Sequence, residues 1–286
     1  MNTAFSLFIT LTLFSTMLAL GLTLRVEGLR PWLSRPGLPL RVLLGSCVLV
    51  PLLALLLLQS PWSWAISQPA RYAIALMALC PSAPLALRKA RKAGGDHQLA
   101  CLVQVGAALA AIVTLPLVGL AFRQTFAVLG WEVHPLDVAA QVARVQVLPL
   151  LIGMGLRHWQ PTLAERLEGP LDRIATVLLL VLVILVLLKA GPLLLSYVPS
   201  NLPALALMAL LALASQGIGV AMAGEQSSHR ITTALVTSMR NPGLALLFAS
   251  QHGGKLPGLK LGVLVYVLVT VILTIPLMRA NRLERQ

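Results

Sequence analysis

Met239-Arg240-Asn241-Pro242-Gly243 interrupts the apolar stretch Ile231 to Ser250 near its middle, and this interruption decides the fold. Proline has no amide hydrogen and its ring clashes with the preceding helical turn, so a helix entering this pentapeptide breaks or kinks there. Arg240 is the only charged residue in the stretch. A second apolar stretch, Pro69 to Leu87, is interrupted in the same way at Cys80-Pro81-Ser82-Ala83-Pro84. Pro81 and Pro242 lie 161 residues apart, as do Leu40 and Asn201, and Leu99 and Gly258 lie 159 apart. Three successive apolar segments thus recur at a nearly constant offset, with the break in the same member of each set. One such break alone reads equally well as a simple kink, which membrane helices tolerate. Breaks at corresponding positions of two halves point to a transporter's midplane site.

Working outward, nine apolar segments near bilayer length emerge. The first five run from Ala4 to Leu24, Leu40 to Leu58, Pro69 to Leu87, Leu99 to Phe122 and Leu136 to Leu156. The last four run from Ile174 to Val198, Leu202 to Ala223, Ile231 to Ser250 and Leu256 to Met278. All are expected to be helices, because lipid offers backbone groups no partners. A repeat that recurs after an odd number of spans is inverted in the membrane. The expected fold is therefore an all-α integral membrane protein of nine transmembrane helices with inverted repeats, residues 1–286 forming a single transmembrane domain. The fifth span opens the second repeat, and its counterpart in the first is missing. Met1 to Leu24 lacks a basic leader and reads as a retained first span rather than a cleaved signal peptide.

Composition agrees. Hydrophobic residues make up 58% of the chain and charged residues 11%, against roughly 25% charged in a soluble domain. The net charge of +13 does not mark a nucleic-acid binder, because the basic residues sit at span ends and form no basic face. Fifteen Lys and Arg fall on one side of the membrane, among them Arg88, Lys89, Arg91 and Lys92, and five on the other. The basic side is expected to be cytoplasmic, with the amino terminus outside, the carboxyl terminus inside and the chain in the plasma (inner) membrane. The run Arg88 to Lys92 reads as a topology determinant or as a contact for anionic headgroups of membrane lipid. Cys47, Cys80 and Cys101 lie inside apolar stretches at spacings that fit no metal or redox motif, and no two of the five histidines stand four apart. No metal site or cofactor is expected.

The candidate site residues are the polar and helix-breaking ones within spans: Arg240, Asn241, Pro242, Gly243, Pro81, Ser82, Gln104 and Arg144. A buried arginine costs about 2.5–3.5 kcal/mol on insertion scales, so Arg240 needs partners or a wet cavity. Three readings stand: an anchor for an anionic substrate group, a hydrogen-bonded plug on carbonyls exposed in the partner broken helix, or a snorkelling side chain. Gln141 and Arg144 share a helix face, and Arg144 reads as a cavity liner, a structural pair or a snorkeller. Gln104 either faces the site or bridges helices.

The same residues carry a family resemblance. Met17-Leu18-Ala19-Leu20-Gly21-Leu22-Thr23-Leu24, Pro51, the stretch Cys80 to Asp96, Pro149 with Gly153, and Met239, Asn241 and Gly243-Leu244-Ala245 together resemble the bile acid:sodium symporter family. The resemblance implies a panel and a core of helices, with two broken helices crossing at the substrate site. Animal members likewise have nine spans. At the family's sodium-ligand positions this chain has Ser46, Pro84, Ala86, Leu87, Ala100, Gln104, Val236 and Arg240. Sodium prefers several oxygens with a carboxylate among them, and Arg240 repels a cation. Sodium as a bound ion is therefore not supported by side chains.

The function read from these features is secondary transport of a small organic anion by alternating access, with sodium coupling in doubt. The alternatives are a sodium-coupled symporter using backbone ligands and a non-transporting scaffold or receptor. A pore lacks a continuous polar lining. A membrane enzyme lacks its motifs: there is no His-Glu-x-x-His, no Gly-x-Ser-x-Gly and no pair of intramembrane aspartates.

Overall fold

Apolar segments of this length have one way to satisfy their backbone in hydrocarbon, and the chain adopts it throughout. The computed structural model describes residues 3–25, 27, 34–126, 135–252, 256 and 258–283, and among these every regular element is a helix. In chain order they are α1 (Thr3–Thr23), α2 (Gly37–Gln59), α3 (Gln68–Leu79), α4 (Pro84–Lys92) and α5 (His97–Phe126). There follow α6 (Pro135–Val142 continued by Leu148–Trp159), α7 (Pro161–Ser200), α8 (Leu202–Ala223), α9 (Ser227–Ser238), α10 (Pro242–His252) and α11 (Leu259–Leu283).

Six of these helices contain segments long and apolar enough to cross a membrane: Ala4–Thr23, Gly37–Gln59, His97–Phe122, Leu136–Trp159, Leu202–Ala223 and Leu259–Ala280. The other three expected segments have other forms. Pro69 to Leu87 is divided between α3 and α4, and Ile231 to Ser250 between α9 and α10. A 12-residue half-helix reaches about 18 Å, short of the roughly 30 Å of hydrocarbon. Ile174 to Val198 lies inside α7, a continuous helix of 40 residues.

Two of the long helices widen by a π-turn, at Gly45–Leu49 in α2 and Ala143–Val147 in α6. A proline stands one residue beyond each, Pro51 after Val50 and Pro149 after Leu148. The residue before proline donates five residues back, Val50 to Gly45 O and Leu148 to Ala143 O. Proline then offers no amide to the next carbonyl in line. One carbonyl in each π-turn is therefore left outside the helical ladder, and in α2 it belongs to Ser46.

Helices α1, α6 and α7 pack on one another, while α9 packs on α8 and α4, and α3 on α11. The closest approach in the first group is between glycines. A Cβ on Gly21 would lie 2.3 Å from Leu150 O, and one on Gly153 2.5 Å from Leu18 O, so α1 and α6 touch backbone to backbone. Large side chains such as Leu11, Leu56, Leu117, Leu195 and Ile272 point outward, as expected of a surface that meets lipid rather than water.

The two breaks meet. After α3 the chain runs extended through Cys80 and Ala83, and after α9 through Met239. These short segments pair antiparallel at Ser82 and Arg240. Ala83 N–H donates to Met239 O at 2.8 Å, and Asn241 N–H to Pro81 O at 2.8 Å. Amides freed by one break are thus satisfied by carbonyls freed by the other. Beyond α4, Gly94 turns the chain at φ 78°, and Asp96 caps α5 by accepting Leu99 N–H. The Asp96 amide donates to Thr232 Oγ1 of α9, tying the two broken helices together a second time.

Candidate functional site

Four half-helices converge on this pairing. α3 and α9 arrive with their carboxyl ends, which carry partial negative charge, and α4 and α10 leave with their amino ends, which carry partial positive charge. Pro84 and Pro242 each start a half-helix, where proline's missing N–H costs nothing. Asn241 caps α10 by accepting the amide of Leu244 at 3.2 Å, and its Nδ2 has no partner among the described residues.

Arg240 is 3% exposed. Its guanidinium donates from Nη2 to Ser46 O at 2.9 Å, and from Nη1 to Ser46 Oγ at 3.1 Å and Cys80 O at 3.3 Å. Both carbonyls lie outside a helical ladder: the partner of Ser46 O would be residue 51, which is proline, and Cys80 follows the end of α3, where the chain is extended. Arg240 Nε is unpaired, and among the described residues no carboxylate lies within ion-pair distance of the guanidinium. Tyr266, Cys47 and Cys80 are close enough to feel its charge.

A cavity of about 90 Å³ adjoins the crossing. Its walls are Thr12, Leu13 and Thr16 of α1, the start of α4 at Pro84 and Leu85, Leu179 and Leu182 of α7, Val267 and Thr270 of α11, and the whole of Met239 to Gly243. Thr16, Pro84, Leu85 and Leu179 also line a larger cavity of about 460 Å³, which continues between α1, α4 and α7. That larger space is charged: Arg88, Arg91 and His97 face Glu165, Glu168 and Asp172. Arg88 is paired with Asp172 and also donates to Thr176. Arg157 holds Glu165 and Glu168 at 3.5 and 3.2 Å. A small apolar chamber against two helix amino ends thus opens into a wider charged mouth.

Of the residues singled out in the sequence, Arg240, Asn241, Pro242 and Gly243 line the small chamber. Pro81 and Ser82 form the pairing behind it, and Ser82 Oγ is buried without a partner. Gln104 is fully buried and donates from Nε2 to Ser82 O at 2.8 Å, so it braces the first break. Arg144 lies in the π-turn of α6, exposed, and lines neither chamber nor mouth. Sequence reasoning passed over Thr12 and Thr16, although they stand one turn apart with Thr23 further along the same face. It also read Arg88 and Arg91 as topology signals, not as parts of a cavity wall; their spacing on one helix face was the available clue.

The sequence pattern of the Sodium Bile acid symporter family matches residues 10–197, about two thirds of the chain. Members of that family are transporters, not enzymes. With six membrane-length apolar helices, the chain is an integral, multi-pass membrane protein. No curated protein matches it in sequence.

Proposed function

The chain belongs to the sodium bile acid symporter family, and from that premise we propose that it is a secondary transporter moving a small organic anion by alternating access. In this reading residues 1–286 form one transporter domain with nine spans, three of them supplied by the two broken helices and the apolar part of α7. Helices α1, α6 and α7 are the panel, and the core carrying the crossing breaks shifts against it. The two breaks belong to inverted repeats, supported by the near-constant offset of about 161 residues.

The observation that carries the reading is the meeting of two broken helices against a chamber, with the amino ends of α4 and α10 on its wall. Helix amino ends attract anions, and the unpaired Nδ2 of Asn241 offers a further donor. Arg240 adds positive charge at short range through its place on the wall, while Pro84, Leu85, Leu13 and Leu182 suit an apolar part of the ligand. The partners are thus the organic anion and the surrounding lipid.

Sodium contributes little to this transport, because Ala86, Leu87, Ala100 and Val236 are buried and offer no side-chain oxygen. Reconstitution into proteoliposomes with labelled organic anions tests the proposal. Saturable uptake with counterflow and little difference between sodium and potassium is expected. Unsaturable flux would make the chain a pore, and no flux a scaffold. Uptake that vanishes in potassium would restore the sodium-coupled alternative with backbone ligands. In this reading the chain lies in the plasma (inner) membrane, and the basic side facing the cytoplasm puts the amino terminus outside; labelling of a cysteine placed at Gly94 from outside intact cells would reverse that orientation.

A further inference from the structure

Two carbonyls and one hydroxyl, all neutral, surround the guanidinium of Arg240, and nothing anionic balances it among the described residues. A buried charge without a counterion is costly unless the surroundings stabilise it. Here the surroundings are those that hold a small cation. The Ser46 carbonyl, released from the ladder by Pro51, and the Cys80 carbonyl, just past the end of α3, converge on one point, the Ser46 hydroxyl joins them, and the negative end of α3 terminates there. Unwound carbonyls and half-helix carboxyl ends coordinate alkali ions in transporters generally.

The family takes its name from sodium, and the donor set at this point does not fit that ion. A hard cation needs several oxygens turned toward it and gains from a carboxylate. The oxygens present are already turned toward a guanidinium, and a free ion beside them would meet a fixed like charge. We infer that Arg240 is a built-in cation: its guanidinium fills the oxygen cradle formed by Ser46 O, Ser46 Oγ and Cys80 O and makes a mobile cation there unnecessary.

The consequence concerns the ionic requirement of the crossing. A mobile ion would stabilise such a crossing only while bound, so its contribution would vary with salt composition. Here the cation is covalently part of α9–α10 and its ligands belong to α2 and α3, so the crossing is held at any salt composition. The inference builds on reading the crossing as the transport site, but its test does not depend on transport, so the two can fail separately.

Thermal unfolding of the purified protein in detergent is measured for the wild type and for Arg240→Lys, Arg240→Met and Arg240→Ala, in choline chloride, sodium chloride or methylguanidinium chloride. The wild type and Arg240→Lys are expected to unfold at the same temperature in all three salts to within a degree or two. Arg240→Ala is expected to melt lower in choline and to rise saturably with methylguanidinium or sodium, by on the order of 5 °C. Arg240→Met, similar in length but neutral and filling the space, is expected to melt below Arg240→Lys and not to respond. If Arg240→Ala does not fold, the order of the other two decides. Arg240→Met as stable as wild type, or Arg240→Ala folded yet indifferent to both cations, overturns the inference.

Discussion

The two breaks have the same construction and opposite contents. At the first, Ser82 sits in the antiparallel pairing, its hydroxyl buried and unpaired. At the second, the residue directly opposite is Arg240, with three hydrogen bonds reaching into α2 and α3. The halves that follow differ as well. α4 ends in Lys89, Arg91 and Lys92, of which Arg91 lines the charged mouth, whereas α10 is buried from Gly243 to Ala249. A backbone repeat therefore does not imply a chemical repeat. The first break contributes backbone pairing alone, and the other carries the charge and the capping amide on which binding is proposed to rest.

That contrast can be broken at the two opposed positions. Arg240→Ala should nearly abolish binding of an identified anionic substrate, losing about 1.5–3 kcal/mol or roughly ten- to hundredfold in affinity, as read by flux or ligand-induced thermal shift. Arg240→Lys should lose less, because the charge stays while the fork geometry goes. Asn241→Ala removes the α10 cap and the unpaired amide together. A loss of about 1 kcal/mol in stability, with a fivefold or greater rise in KM, is the expected result in denaturation and uptake assays. Ser82→Ala should change affinity by less than about threefold, since truncating a hydroxyl that has no partner forfeits no bond. If Ser82→Ala proves as damaging as Arg240→Ala, the breaks are functionally equivalent and the asymmetry has no chemical meaning.

A subtler change sharpens the same comparison from a distance. Pro51→Ala restores an amide that can take Ser46 O into the α2 ladder, in competition with Arg240. It should lower the melting temperature modestly, by about 1 kcal/mol equivalent, although residue 51 lies in α2 and in neither break. The smallest effect belongs to the mouth. Asp172→Asn removes the partner of Arg88, but both side chains are partly exposed, 26% and 48%. The stability change should stay below about 1 kcal/mol, measurable by chemical denaturation.

Much of the frame was legible because proline writes its effect into the sequence. Pro81, Pro84 and Pro242 marked both breaks, and their near-constant offset marked them as a pair. What proline freed was harder to see. Nothing in the apolar pattern around Ser46 announces a π-turn, because widening a helix by one residue leaves its composition unchanged. Which way Arg240 turns was undecidable from the chain alone, since Ser46 lies 194 residues away in sequence. Both the anchor and the plug remained open readings for that reason. The pairing of Arg88 with Asp172 was out of reach because the two lie 84 residues apart, and topology rules count charges without asking what each one faces.

The exchange of hydrogen bonds between the breaks has a mechanical consequence. Separating both Ala83 from Met239 and Asn241 from Pro81 would strand four backbone groups, each at a cost of about 1–3 kcal/mol where it is left unsatisfied. The two crossing helices are in effect riveted at their waist. In the proposed carrier the stroke would swing them as one lever, with the slip plane along the α1 wall, where Thr12, Leu13 and Thr16 line the chamber beside the crossing.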